Sequence, residues 1–329
     1  MSHPQQMTQA PEETAKQEAM QVLDDLGLEP CEPLRQRMVS GHASSLMFLA
    51  EGAGGRRFVL KHYLATPDRI WPAGVQPHDY ARRECGFYRL LDEIDPRRRD
   101  FPAPRTMLVG PGDPPRWLLL EHVPMAPGPV QEVLASDHFF RLAEKLRAFP
   151  HERLVGRRSL PLNHWNTIGY MERVRLMYES VLNVLGERRW RQLQAFFDEA
   201  VRWIDSRKSV LVHGDFCEEN IVVTEDDEPW LVDFERIGIG NEDHDIAWLW
   251  IHSTRDQNWK KNLILRWFGN RVGGDRVRCE WGIRAALAYM AVRRLRWGYL
   301  REGEDDPRQS GNLALLDATL AGGSDLFPI

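Results

Sequence analysis

Hydrophobic and polar positions recur along this chain in segments of distinct period. The first ten residues, MSHPQQMTQA, are polar. Pro11-Glu12-Glu13 then opens a helical pattern that stops near Gly27, with proline in the first turn and acids at the positive end of the helix dipole. From Met38 the character changes. Two apolar runs, 46–50 and 56–63, flank Gly52-Ala53-Gly54-Gly55, and a glycine cluster between strand-like runs predicts an antiparallel hairpin. Phe87, Leu90, Leu91 and Ile94 fall at helical spacing, so a helix is expected over 80–94, ended by Pro96. Runs 105–109 and 117–120, parted by the turn-rich segment 110–115, predict two more strands.

Pro124, Pro127 and Pro129 then punctuate the chain, and the lobe boundary is placed just after Val123. Beyond it the pattern turns helical. Met171, Val174, Tyr178, Val181 and Leu185 mark one apolar face, with Gly186 as its C-terminal stop. Trp190, Leu193, Phe197, Val201 and Ile204 mark the next. Three short apolar runs, 210–212, 221–223 and 230–232, form a compact β insertion, and helices resume from Ile246. The outline is an N-terminal tail and helix (1–34), a small β-rich lobe (35–123) and a larger helical lobe (124–329).

Composition narrows the class. The 329 residues include 43 Lys plus Arg against 48 Asp plus Glu, a formal net charge of −5, with 43% hydrophobic and 28% charged residues. That balance supplies a core and excludes collagen-like, disordered and disulfide-scaffold chains. Mild acidity argues against a nucleic-acid partner, which needs a basic face. Cys31, Cys85, Cys217 and Cys279 form no CxxC pair, and their wide spacing suits a reducing compartment. The first thirty residues show no basic region followed by an apolar stretch, so no secretory signal is expected. The conspicuous apolar run 246–251 is far short of the roughly 20 residues of a membrane helix. A cytoplasmic protein without a membrane partner is the expectation.

The chemistry concentrates in His213-Gly214-Asp215-Phe216-Cys217-Glu218-Glu219-Asn220 and, thirteen residues after Asn220, Asp233 in Leu231-Val232-Asp233-Phe234-Glu235. Each polar group lies at the end of a β-like run, where a rigid strand aims it into a cleft. An amide oxygen and two acids brought together this way make a magnesium site with one carboxylate to spare, since magnesium completes its shell with water and substrate phosphates.

The pattern HGDxxxxN followed by a strand-borne DFE resembles the aminoglycoside phosphotransferase and choline kinase-like family, small-molecule kinases with the protein-kinase fold. The resemblance spans about residues 35–300. It implies an α+β bilobal fold: a small N-terminal lobe with an antiparallel sheet and one helix, and a larger, mostly helical C-terminal lobe. Phe58-Val59-Leu60-Lys61 looks like the third-strand lysine motif, and Glu84 takes the place of the helix carboxylate that pairs with it. The segment 118–123 looks like the hinge that receives the nucleotide base, with Glu121 and Val123 as its contacts. Asp245 falls at the family's recurrent structural aspartate. Carried over residue by residue, the resemblance implies that Lys61, oriented by Glu84, holds the donor phosphates. Asn220 and Asp233 would ligate Mg2+, and Asp215 would orient the acceptor hydroxyl. ATP or GTP is the implied donor, and a small-molecule hydroxyl compound (antibiotic, amino alcohol or sugar-like) the acceptor. Phosphoryl transfer has a loose transition state, so positioning and charge neutralisation carry most of the catalysis.

The chain departs from the family in three places. The phosphate-covering segment 40–45 has one glycine, Glu219 stands where relatives often carry glycine, and the C-terminal segment 325–329 does not match an acidic tail. His213 reads as a packed histidine that orients its loop, and Cys217 as unreactive. Eight of the twelve tryptophans lie beyond residue 200, where an aromatic box for a quaternary ammonium competes with plain core packing. Acidic groups (218–219, 242–243, 304–306) offer attraction for a cation, whereas Arg284, Arg293, Arg294 and Arg296 offer it for an anion, and the sequence does not decide. Two other functions are weighed. A nucleotide-binding pseudokinase is opposed by the intact Lys, Asp, Asn, Asp set. A metal-dependent phosphohydrolase of the HD type, built on His213, Asp233, His244 and Asp245, leaves Lys61 and the hairpin unexplained.

Overall fold

The computed structural model describes residues 9–33, 45–64, 77–128, 130–154, 160–205, 208–269, 271–302 and 308–322. Helix α1 (Gln9–Asp25) leads into β1 (Glu29–Pro33). Strands β2 (Ser45–Gly52) and β3 (Arg56–Tyr63) form the hairpin expected from the glycine cluster, in register from Ser45–Tyr63 to Gly52–Arg56. After α2 (Pro77–Ile94), β4 (Thr106–Val109) and β5 (Trp117–Glu121) complete an antiparallel sheet of order β1-β2-β3-β5-β4. One sheet face packs Phe48, Ala50, Phe58, Leu60 and Leu119 against Ala19 and Leu23 of α1, so the N-terminal helix is part of this layer. Helix α2 buries Ala81, Cys85, Phe87, Tyr88, Leu90 and Leu91 together with Arg83 and Glu84, and turns Arg89 and Glu93 to solvent. The phosphate-covering segment 40–44 lies outside the described residues.

The rest is mostly helical: α3 (Val130–Val133), α4 (Ser136–Ala148), α5 (Thr167–Ile204), α6 (Asp243–His252), α7 (Gln257–Phe268), α8 (Gly273–Glu302) and α9 (Gln309–Ala321). The two helices expected on either side of Gly186 are joined end to end within α5, and Gly186 interrupts it with φ 70° and ψ 157°. Glycine alone takes that left-handed φ without strain, so α5 is two helices that meet at a kink, as the sequence predicts. Five short strands fill the insertion: β6 (Asn163–Trp165), β7 (Val210–Val212), β8 (Ile221–Val223), β9 (Pro229–Leu231) and β10 (Gly238–Gly240). Strand β10 pairs parallel to β6 and antiparallel to β7, and β8 pairs antiparallel to β9. Helices α5 and α8 form the main helical contact, with Val174, Met177, Val181, Ile283, Leu287 and Met290 buried. Among the described residues, no helix is long and apolar enough to cross a membrane.

Candidate active site

Three segments far apart in sequence meet at Lys61. It leaves β3 with its side chain 4% exposed, and its Nζ stands 2.6 Å from Glu84 on α2 and 2.6 Å from Asp233 after β9. Glu235 is further, at 4.0 Å. Burial alone would lower the lysine pKa, but the charges of Asp233, Glu84 and Glu235 outweigh it and hold the ammonium well above its ordinary value. Burial pushes the Glu84 carboxyl up, with Lys61 opposing; at Asp233 burial pushes the same way, but Lys61 wins and the carboxyl is held low.

Glu84 is fully engaged. One oxygen accepts from Lys61 and from the Tyr63 hydroxyl (2.8 Å), the other from the Phe234 backbone N–H (3.2 Å). Asp233 has left-handed backbone (φ 66°, ψ 66°), uncommon for a residue with a side chain and tolerated best by Asp and Asn. Strain of this kind collects at functional loops, and here it turns the aspartate out of β9 towards Lys61.

The second loop follows β7. Asp245, at the N-terminal turn of α6, accepts from the backbone N–H of His213 (2.8 Å) and of Gly214 (2.9 Å), fixing the chain just before Asp215. Burial pushes the Asp245 carboxyl up to about 7 against these two N–H donors. Gly214 has φ +79°, and a Cβ there would stand 2.5 Å from the Arg236 carbonyl oxygen, so only glycine fits. His213 is buried; its Nε2 lies 3.0 Å from the Val232 carbonyl and its Nδ1 accepts from the Asp215 N–H (3.3 Å). Nε2 therefore carries the proton, and burial lowers the ring pKa. This is a packed histidine tying the two loops together.

The carboxylates of Asp215, Asp233 and Glu235 each bring an oxygen within 4.8 Å of the others. Four carboxylates here, counting Glu84, face two cations, Lys61 and Arg236, whose Nη1 is 3.9 Å from Asp215. A divalent cation would balance that surplus, and an all-oxygen set suits magnesium. Asn220 donates from its amide nitrogen to the Asp215 carbonyl (2.8 Å), which leaves its side-chain oxygen for a ligand. Glu235 went unread in the sequence as a metal ligand, although it stands in the quoted DFE. At the hinge, the Glu121 N–H donates to the Arg105 carbonyl (3.0 Å) and its carboxylate binds Arg105, so Glu121 has no N–H to offer a base. Val123 N–H makes no backbone hydrogen bond among the described residues.

Other candidates resolve into packing. His244 stacks on Trp165 (4.4 Å) and bonds the Tyr170 hydroxyl (2.8 Å), and neither it nor Asp245 joins the carboxylate group, which leaves the HD-type arrangement unbuilt among the described residues. Four of the late tryptophans each stand under one of the chain's own cations: Lys260 lies over Trp250, Arg255 over Trp259, Arg271 over Trp267 and Arg284 over Trp281. One face of each of these four rings is thereby covered.

A small antiparallel lobe with one enclosed helix, set on a helical lobe that presents the loops bearing Asp215 and Asp233, is the bilobal protein-kinase-like fold. Residues 35–281 match the model of the phosphotransferase enzyme family, and the chain belongs to that family, whose members act as small-molecule kinases. No curated protein matches the sequence at a significant level. Solved structures share the fold. A thermostable mutant of aminoglycoside phosphotransferase APH(4)-Ia, in ternary complex with ADP and hygromycin B, superposes with a TM-score of 0.61 at 12% identity over 93% of this chain and 98% of that one. ADP-bound APH(2'')-Ib gives 0.58 at 14% identity over 92% and 97%. The GDP complex of an aminoglycoside 2'-phosphotransferase-IIIa mutant gives 0.58 at 17% identity over 94% and 97%.

Proposed function

We propose that this phosphotransferase moves the γ-phosphoryl group of ATP or GTP, as the magnesium complex, to a hydroxyl of a small molecule. The observation that carries the reading is the meeting of Lys61, Glu84 and Asp233 at 2.6 Å contacts, beside a carboxylate group that includes Asp215. The neighbouring structures hold ADP or GDP, which supports a purine nucleotide donor. In this reading the division near residue 123 separates a nucleotide lobe from an acceptor lobe, with the Val123 N–H and the Glu121 carbonyl facing the base.

Lys61 releases Asp233 to meet the α- and β-phosphates, and Glu84 keeps it oriented. Asp233, Asn220 and Glu235 would hold Mg2+, which supplies charge neutralisation at the phosphates. Asp215 accepts a hydrogen bond from the acceptor hydroxyl. The hydroxyl oxygen bonds to the γ-phosphorus as the bond to the nucleoside diphosphate breaks, and its proton passes to Asp215. Calorimetric titration of ATP and GTP, with and without magnesium, tests the donor half. Magnesium-dependent binding of either is expected; binding of neither overturns the reading.

A further inference from the structure

The acceptor end of this cleft is cationic, and we infer that the acceptor is a hydroxy compound that also carries an oxyanion, a carboxylate or a phosphate, seated on Arg293 and Arg236 while its hydroxyl meets Asp215. The inference rests on the phosphotransferase reading of the same site and names its substrate class.

Four arginines on α8 compete for such a role, and the structure separates them. Arg284 donates to the carbonyls of Thr319 (2.9 Å) and Leu320 (3.2 Å), Arg294 to that of Ile251 (3.1 Å), and Arg296 to the Ser180 hydroxyl (3.3 Å). Arg293 has no hydrogen bond or ion pair among the described residues; its guanidinium lies over the Trp248 ring at 4.8 Å. Arg236 lies over the same ring at 5.1 Å and reaches back to Asp215 at 3.9 Å, beyond hydrogen-bond range. Arg293, whose donors are uncommitted, and Arg236, held at ion-pair distance from Asp215, thus share one ring beside the loop that bears Asp215. Such forks match planar oxyanions. Tyr80 from α2 and Tyr289 from α8 stand within electrostatic reach of both, which places the pair where the two lobes face each other. Burial and the nearby Arg236 lower the Arg293 pKa to about 10, the mark of a cation short of an anion.

Of the acidic groups that would suit a cationic acceptor, Glu219 is exposed, and Glu218, Glu242 and Asp243 are committed elsewhere. Glu218 is held by Arg255 (2.9 Å) and the Ser253 hydroxyl, and Glu242 faces Arg147 and Arg271 at 3.6 Å each. Asp243 is buried, accepting from Trp267 Nε1 (2.7 Å). The remaining group, 304–306, lies outside the described residues.

The test has a binding arm and a turnover arm. In the first, the protein saturated with ADP and magnesium is titrated with methyl phosphate, with acetate and with methylammonium, and thermal stability is read. The two anions should stabilise the wild type and methylammonium should not; comparing phosphate with acetate names the oxyanion. Arg293→Ala should lose the anion response by about tenfold or more in apparent affinity, and Arg293→Lys should recover part of it. In the second arm, hydroxy acids, sugar phosphates, neutral polyols and aminoglycosides are compared as acceptors with the donor that binds. Turnover should favour the anionic classes, and Arg293→Ala should raise the acceptor KM about tenfold while the nucleotide KM stays put. An Arg293→Ala response equal to wild type in the binding arm, or turnover best with aminoglycosides, overturns the inference and leaves phosphoryl transfer standing. Absence of nucleotide binding overturns the functional reading, and the same anion titration without ADP still judges the arginine pair.

Discussion

Glu84 holds the backbone N–H of Phe234 with one oxygen (3.2 Å) while its other oxygen holds Lys61 (2.6 Å). One carboxylate therefore sets both the lysine on β3 and the loop that carries Asp233. Replacing it by glutamine keeps an acceptor for Phe234 but removes the charge opposite a buried ammonium. Glu84→Gln is expected to lower folding stability by about 3 kcal/mol, the scale of breaking a buried pair, and to cut turnover at least tenfold. Thermal melts and steady-state assays on the same preparation check both; an unchanged melting curve would refute the pairing.

Asp215 and Asp233 should separate kinetically. Asp215→Asn is expected to reduce kcat by about 10²–10⁴ while nucleotide affinity stays within about twofold, because the proposed mechanism sets that carboxylate against the acceptor hydroxyl. Asp233→Ala should instead remove the magnesium dependence of nucleotide binding. Calorimetry on both variants tells them apart, and an inverted pattern sinks the assignment of roles.

The Gly214 position predicts a strict size limit. Gly214→Ala forces a left-handed alanine whose Cβ meets the Arg236 carbonyl oxygen at 2.5 Å. A loss of about 2–4 kcal/mol is expected from strain and overpacking together. Denaturant titration measures it, and a loss under 0.5 kcal/mol would mean that the loop moves freely.

A buried histidine, His244, and a partly buried one, His252, predict acid sensitivity. Burial, reinforced by nearby arginines, lowers the pKa of His244 and of His252 well below 6.5. The unfolded chain takes up protons near pH 6.5 that the folded chain refuses. Stability is thus fully present above that pH and is lost as pH falls towards the folded values, by about 1.4 kcal/mol per pH unit for each ring. Unfolding free energies between pH 7.5 and 5.5 should fall accordingly, and His252→Gln should remove one ring's share of the slope. A flat profile in this window would count against neutral burial.

The elements readable in advance were those long enough to show a period. The 46–63 hairpin, α2 and the halves of α5 announce themselves by spacing and by glycine. Strands β1, β6 and β10 do not. β10 is Gly238-Ile239-Gly240, and its glycines answer the backbone of β6: a Cβ on Gly240 would stand 2.2 Å from the Trp165 carbonyl oxygen. Three residues shaped by a neighbour carry no alternation to detect. The proposed site follows the same logic. Lys61, Glu84, Asp215, Asn220 and Asp233 were nameable because motif spacing survives in one dimension. Glu235 needed the short turn after Asp233 to bring it round. Which of the α8 arginines is uncommitted depended on acceptors supplied by α9, α6 and α5, which no local pattern reports.

Phe234 sits among Phe87 (4.8 Å), Tyr88 (5.4 Å) and Phe101 (5.9 Å), and Phe149 closes on Phe87 and Phe101. This aromatic block bolts α2 to the loop bearing Asp233, so the helix cannot swing away without exposing five rings to water. Moving the helix would therefore cost the burial of this whole block. The disorder that must be removed to align Lys61, Glu84 and Asp233 is removed once, when the chain folds, and does not recur at each turnover.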